Sequence, residues 1–262
     1  MATGLPGLRA DGGLLGGRWV AAASLAGQAH LRGGTTPQDA YQYTVTDDGS
    51  ALVLAVCDGL GSRPRTAQIG AVLLADRICA EASAITAGQL AADPRRALRG
   101  ALSRASAAVA GYRAAVLPAF GDADLSCTAA LCLLPLAGGG GWAAKVGDCA
   151  VLTFSGGEWG TVFGEQEGPL NMVSGSLPHP EPDRVTEYAP VGAVPSGLVV
   201  LATDGLAEDV FSSPGVRDWL AGRWSVPCGA ARMADSLRYR RRGSHDDRTA
   251  LVVWPPAAEA GG

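Results

Sequence analysis

Apolar runs of strand length punctuate this chain at Trp19 to Leu25, Tyr41 to Val45, Ala51 to Cys57, Thr128 to Leu136, Trp142 to Val146, Ala150 to Phe154, Leu198 to Thr203 and Thr249 to Trp254. Two longer segments carry helical patterning: Thr66 to Ala84, with Ile69, Val72, Leu73 and Ala80 near one face, and Pro94 to Ala115, rich in Ala and Arg. Asp93 followed by Pro94 supplies an N-cap residue and a proline at the first helical position. Shorter helices are expected over Gly215 to Arg223 and Ala230 to Arg240. Strand runs are grouped apart from helical ones, so the order predicts an α+β fold and not a doubly wound parallel sheet.

The first 18 residues hold six glycines and little periodicity, and read as a flexible leader. One domain is expected over 19–255, with a disordered tail over 256–262. Gly138 to Gly141 lies between two strand runs and reads as a hairpin loop. No Lys-Ser or Lys-Thr follows it, so it lacks the mark of a phosphate-cradling P-loop. Ser155 to Ser196 is proline-rich and irregular, an excursion beside the main sheets.

At 262 residues and 47% hydrophobic content the chain can bury a large core. With 21 basic and 25 acidic residues mixed along it and a formal net charge of -4, no positive field argues for nucleic acid. No apolar run reaches the roughly 18 residues of a membrane span, and the first residues lack the pattern of a secretory signal. Six scattered cysteines, mostly inside apolar stretches, suit a reducing compartment, so a cytoplasmic protein with no membrane role is expected.

Chemistry enters through where aspartates fall. Ala51 to Cys57 runs into Asp58-Gly59, Leu198 to Thr203 runs into Asp204-Gly205, and Thr249 to Trp254 is preceded by Asp246-Asp247. If the third strand is antiparallel to the other two, the three acidic ends share one edge. Carboxylates so gathered repel one another, and a bound divalent ion is the usual compensation. All-oxygen ligation favours a hard cation, Mg²⁺ or Mn²⁺.

Six blocks in order, Gln38-Asp39-Ala40, VCDGLGS from Val56, SCTAA from Ser126, VGDCAV from Val146, LATDGLAED from Leu201 and GSHDDRTALVV from Gly243, resemble the PP2C family of metal-dependent serine/threonine phosphatases, and most of all its compact bacterial branch. The resemblance implies two antiparallel sheets packed face to face, helices outside, and a pair of cations at one end. Asp58 would bridge both ions, the Gly59 carbonyl and Asp39 would hold one, and Asp204 and Asp246 the other, with Asp58 and Asp204 central to catalysis. Asp148 would help to hold a weaker third ion. A water between two cations would attack phosphorus, and the partners implied are a phosphorylated protein and a cognate serine/threonine kinase.

The chain departs from that pattern in places. Gly34 stands where many members have a phosphate-binding arginine, and Arg32 is the nearest substitute. Leu60 occupies a position where some members carry a histidine acid, which leaves His30, His245 or solvent to protonate the leaving group. Gln38 replaces a glutamate. Two other readings compete: Cys57 to Arg63 spells Cys-x5-Arg, the phosphate loop of cysteine-dependent phosphatases, and the altered positions fit a catalytically weak, phosphoprotein-binding scaffold.

Overall fold

The computed structural model describes residues 7–60, 66–164, 175–193 and 197–256. Two antiparallel sheets pack face to face between layers of helices, as expected. The first, in the order β1-β2-β11-β10-β7-β8, contains β1 (Leu8–Leu15), β2 (Arg18–Leu25), β7 (Ala150–Ser155), β8 (Glu158–Thr161), β10 (Leu198–Ala202) and β11 (Arg248–Val253). The second, β3-β4-β5-β6-β9, contains β3 (Asp39–Val45), β4 (Ala51–Gly59), β5 (Cys127–Pro135), β6 (Gly141–Val146) and β9 (Thr186–Val191).

The helices are α1 (Gln28–Gly33), α2 (Ala67–Ser83), α3 (Ala87–Ala92), α4 (Pro94–Val116), α5 (Asp204–Ser212), α6 (Pro214–Trp224) and α7 (Ala230–Ser236). Asp93 caps α4 by accepting the Arg96 backbone N–H at 2.9 Å, with Pro94 in the first turn. None of the described helices is long and apolar enough to cross a membrane.

The central strands are apolar throughout because both of their faces are covered. In β4, Leu52, Leu54 and Val56 point between the sheets, where they meet Val151, Leu201 and Leu251. Val53, Ala55 and Cys57 point the other way, against Leu74 and Ile78 of α2 and Leu98 and Leu102 of α4. The far layer is α5 to α7 over β2, β10 and β11, with Leu206, Leu220, Trp224 and Met233 in its core.

The antiparallel registers place the ends of β4, β6 and β10 and the starts of β3, β7 and β11 on one edge of the sandwich. The candidate acids fall on that edge.

Several expectations are corrected. Within the predicted leader, Leu8–Leu15 is a strand paired along its whole length with β2. It is an edge strand with mostly solvated side chains, so its backbone bonds hold it without an apolar pattern. Gly12 fits closely there, since a Cβ would lie 3.2 Å from Ala21 Cβ and 3.3 Å from Ala230 N. The last predicted helix stops at Ser236 and does not reach Arg240. The next carbonyls, those of Leu237 and Tyr239, accept instead from the Arg248 guanidinium at 3.2 and 2.9 Å. The excursion contains β8 and β9, each an edge strand.

Candidate active site

Side chains of a strand alternate between its faces, and that alternation decides which end residues meet. Leu52, Leu54 and Val56 face the inter-sheet layer, so Asp58 continues that series. Tyr41 leads to Asp39, Ala130 to Thr128, Leu201 to Thr203 and Leu251 to Thr249 by the same parity. The interior of the sandwich thus ends in a polar layer of two aspartates and three threonines. Asp39 and Asp58 are direct partners across β3 and β4, and Thr128 is opposite Asp58 on β5.

Hydrogen bonds lock this layer. Thr203 Oγ1 donates to Asp39 Oδ2 at 2.7 Å and accepts the Thr249 backbone N–H at 3.1 Å. Asp204 follows as the first residue of α5, with its carboxyl beside that of Asp58. Asp148 enters from the turn between β6 and β7, where Gly147 takes a φ of 78°. Asp246 is exposed just before β11.

The electrostatics follow from burial and crowding. Burial pushes Asp39 well above the ordinary carboxylate range, and the charge of Asp247 adds to it. Asp58 is raised strongly by burial, then by Asp39 and Asp204. Asp204 is pushed up to about 6 by burial, followed by the charges of Asp148 and Asp246. Burial also raises Asp148, against a lowering hydrogen bond from Thr128.

Asp247 has a different part from its neighbour, which the sequence did not separate. It is buried and accepts from Gly27 N and Gln38 N at 2.6 Å each, while its Oδ1 also meets His30 Nδ1 at 2.8 Å. It fastens the segment that leads into Asp39. Gly27 and Gly205 flank the same backbone, since a Cβ on Gly27 would stand 2.3 Å from Asp246 C and one on Gly205 2.2 Å from Asp247 O. Gly59 lies against α2, where a Cβ would be 2.6 Å from the Ala67 carbonyl. None of these three glycines has a positive φ; close backbone approach is what requires them.

Other candidate residues are placed as follows. Arg32 is exposed on α1. His30 is engaged by Asp247, and His245 is exposed. Leu60 donates its backbone N–H to the Ser126 carbonyl at 3.0 Å. Cys57 is fully buried against α2, on the face opposite to Asp58, and burial pushes its thiol well up. That is the reverse of what a thiolate nucleophile needs. Arg63 lies outside the described residues.

The donor set suits a hard cation. It is all oxygen, Asp39, Asp58 and Asp204 are held above the ordinary carboxylate range by burial and then by neighbouring charges, and Asp148 Oδ1 is buried without a hydrogen-bond partner. Among the described residues no three acidic, histidine or cysteine side chains already form a cage.

The fold is a helix-flanked pair of antiparallel sheets with an acidic pole at one end, and the sequence assigns it further. A family model for protein phosphatase 2C matches residues 26–239, and the chain belongs to that family. The fold is shared with the S. agalactiae serine/threonine phosphatase (13% identity, TM-score 0.66, covering 95% of this chain and 99% of that one). It is shared also with the Mycobacterium tuberculosis serine/threonine phosphatase PstP/Ppp (17%, 0.62, 95% and 98%) and with RsbX in complex with magnesium (16%, 0.56, 94% and 98%). No curated protein sequence matches the chain significantly.

Proposed function

We propose that this protein phosphatase hydrolyses phosphoserine and phosphothreonine in proteins with two divalent cations, Mg²⁺ or Mn²⁺, at the acidic pole. The observation that carries the reading is the gathering of buried Asp39 with half-buried Asp58 and Asp204, all raised by burial and by neighbouring carboxylates, which a folded protein tolerates best where a cation supplies the counter-charge. Asp58 would be shared by both ions, Asp39 and the Gly59 carbonyl would serve one, and Asp204 and Asp246 the other. Asp148, with its unpartnered oxygen, is the candidate for a weaker third ion. Bound there, the cations would supply charge neutralisation at the phosphoryl group and a water activated for in-line attack.

The chain's own residues do the rest. Thr203 holds Asp39 in place, Asp247 fixes the approach to it, and Arg32 on the exposed face of α1 is free to reach a phosphate. With Leu60 in the position of an acid and His30 held by Asp247, the leaving oxygen takes its proton from solvent or from exposed His245. The substrate is a phosphorylated protein, and the natural counterpart is a serine/threonine kinase acting on it.

The scaffold reading draws on Gly34 and Leu60. Hydrolysis of a phosphothreonine peptide separates the two: turnover should require Mn²⁺ or Mg²⁺, stop with EDTA, and fall by at least a hundredfold in Asp58→Asn while surviving Cys57→Ser. Absence of metal-dependent turnover above the Asp58→Asn level would leave the scaffold.

A further inference from the structure

A groove of about 790 Å³ runs off from the acidic pole between β7 and β8 on one side and α5 and α6 on the other. Asp148 stands at the boundary, as a member of the carboxylate cluster that also lines the groove. Farther along, the walls carry Glu158 and Trp159 from β8, Phe211 from the end of α5 and Asp218 from α6.

Its charges are unevenly committed. Of the two cationic side chains in the lining, Lys145 pairs with Glu187 at 3.3 Å and lies 5.4 Å from the Phe163 ring centre. Arg217 donates to the Val210 and Phe211 carbonyls at 3.2 Å each, which closes the end of α5. Glu158 and Asp218 are exposed and have neither an ion pair nor a side-chain hydrogen bond among the described residues. Asp148, Glu158 and Asp218 outnumber the two cations, so the lining is net negative, beside exposed Phe211.

We infer that this groove receives the stretch of a phosphoprotein that flanks the phosphorylated residue on one side, and that it selects arginine there. A guanidinium has a flat face to stack on Phe211 or Trp159 and an edge to pair with Asp218 or Glu158. An acidic flanking sequence would meet the unpaired carboxylates of Glu158 and Asp218. Continuity through Asp148 makes the groove an extension of the phosphate site. The inference rests on the phosphatase reading above and names its substrate class.

The test compares phosphothreonine peptides that carry arginine before the phosphoresidue, after it, or nowhere, with glutamate analogues as a fourth set. With Mn²⁺ present, kcat/KM should rise about five- to tenfold for arginine on one side only, the scale of one exposed ion pair plus a cation–π contact. The preference should shrink to within about twofold in the double variant Glu158→Gln, Asp218→Asn, each peptide being ratioed to the arginine-free one on the same protein. Thermal melting of the variant confirms that it is folded.

Turnover of all peptides at rates within about twofold on the wild type would overturn the groove while leaving the phosphatase standing. If no peptide turns over, calorimetric binding of the non-hydrolysable phosphonate peptides decides. Preferential binding of the arginine peptide upholds the groove on a protein that is not a phosphatase, and equal binding overturns both.

Discussion

The hydroxyl of Thr203 donates to Oδ2 of Asp39 over 2.7 Å, joining the residue after β10 in one sheet to the first residue of β3 in the other. Both groups are buried, and the same hydroxyl accepts from Thr249 N. Thr203→Val keeps the shape and deletes the donor and the acceptor together. The expected cost is about 1–3 kcal/mol in urea unfolding, together with weaker Mn²⁺ binding, whereas Thr203→Ser should restore most of both. Equal stability of the valine variant and the wild type would show that the bond does not hold the pole.

Asp246 and Asp247 should separate cleanly. Asp247 is buried with two backbone donors and His30 on it, so Asp247→Ala orphans the entrance to Asp39 and should cost about 3 kcal/mol or more. Asp246 is exposed, so Asp246→Ala should change stability by under about 0.5 kcal/mol and yet weaken Mn²⁺ binding severely. Denaturation and calorimetric Mn²⁺ titration of the two variants make the comparison. Stability losses of similar size would refute the division of labour.

The pole also fixes how stability responds to pH. Asp204 rises from 3.8 to about 6 on folding without a cation, and Asp39 and Asp58 are raised as well. A raised carboxyl binds more protons folded than unfolded, so its contribution is fully present below the unfolded value and is lost as pH climbs through the folded one. Metal-free protein should therefore lose stability from about pH 4 through about pH 6 on account of Asp204, with Asp39 and Asp58 extending the loss upward. A cation competes with the same protons, and its stabilising effect should grow over that window. Melting temperatures in EDTA and in Mn²⁺ at several pH values test this, and a gap that stays constant with pH would contradict it.

Much of this was legible because the inner strands are covered on both faces. Ala51 to Cys57 and Leu198 to Thr203 read as apolar runs, and the acids that end them stand out. The antiparallel arrangement assumed for Thr249 to Trp254 also holds, since β11 runs against β10. What stayed hidden depends on tertiary approach. Asp247 looks like a copy of Asp246 until Gly27 and Gln38, 220 and 209 residues away in sequence, close on it. The edge strands β1, β8 and β9 bury too little for an apolar pattern, and α5 begins on Asp204 itself, so its first turn reads as the end of a strand. The groove joins β8 to α6, and no local pattern relates those two.

Asp209 offers the last test, because it sets the position of α5 from the far end. It is buried and accepts from Tyr239 Oη at 2.7 Å, Ser244 Oγ at 2.9 Å and Arg248 Nε at 3.0 Å, and it also pairs with Arg241. The basic stretch Arg238 to Arg242 thus has one member, Arg241, turned inward to a carboxylate. Asp209→Ala leaves the guanidinium of Arg248 half-buried without its counter-charge and should cost about 3–5 kcal/mol. Asp209→Asn keeps acceptor capacity but not the charge, and should fall between the two. Because α5 starts with Asp204, the asparagine variant should also bind Mn²⁺ more weakly than the wild type at a temperature where both are folded. Unchanged Mn²⁺ affinity in that folded variant would mean that the clamp stabilises the helix without positioning the site.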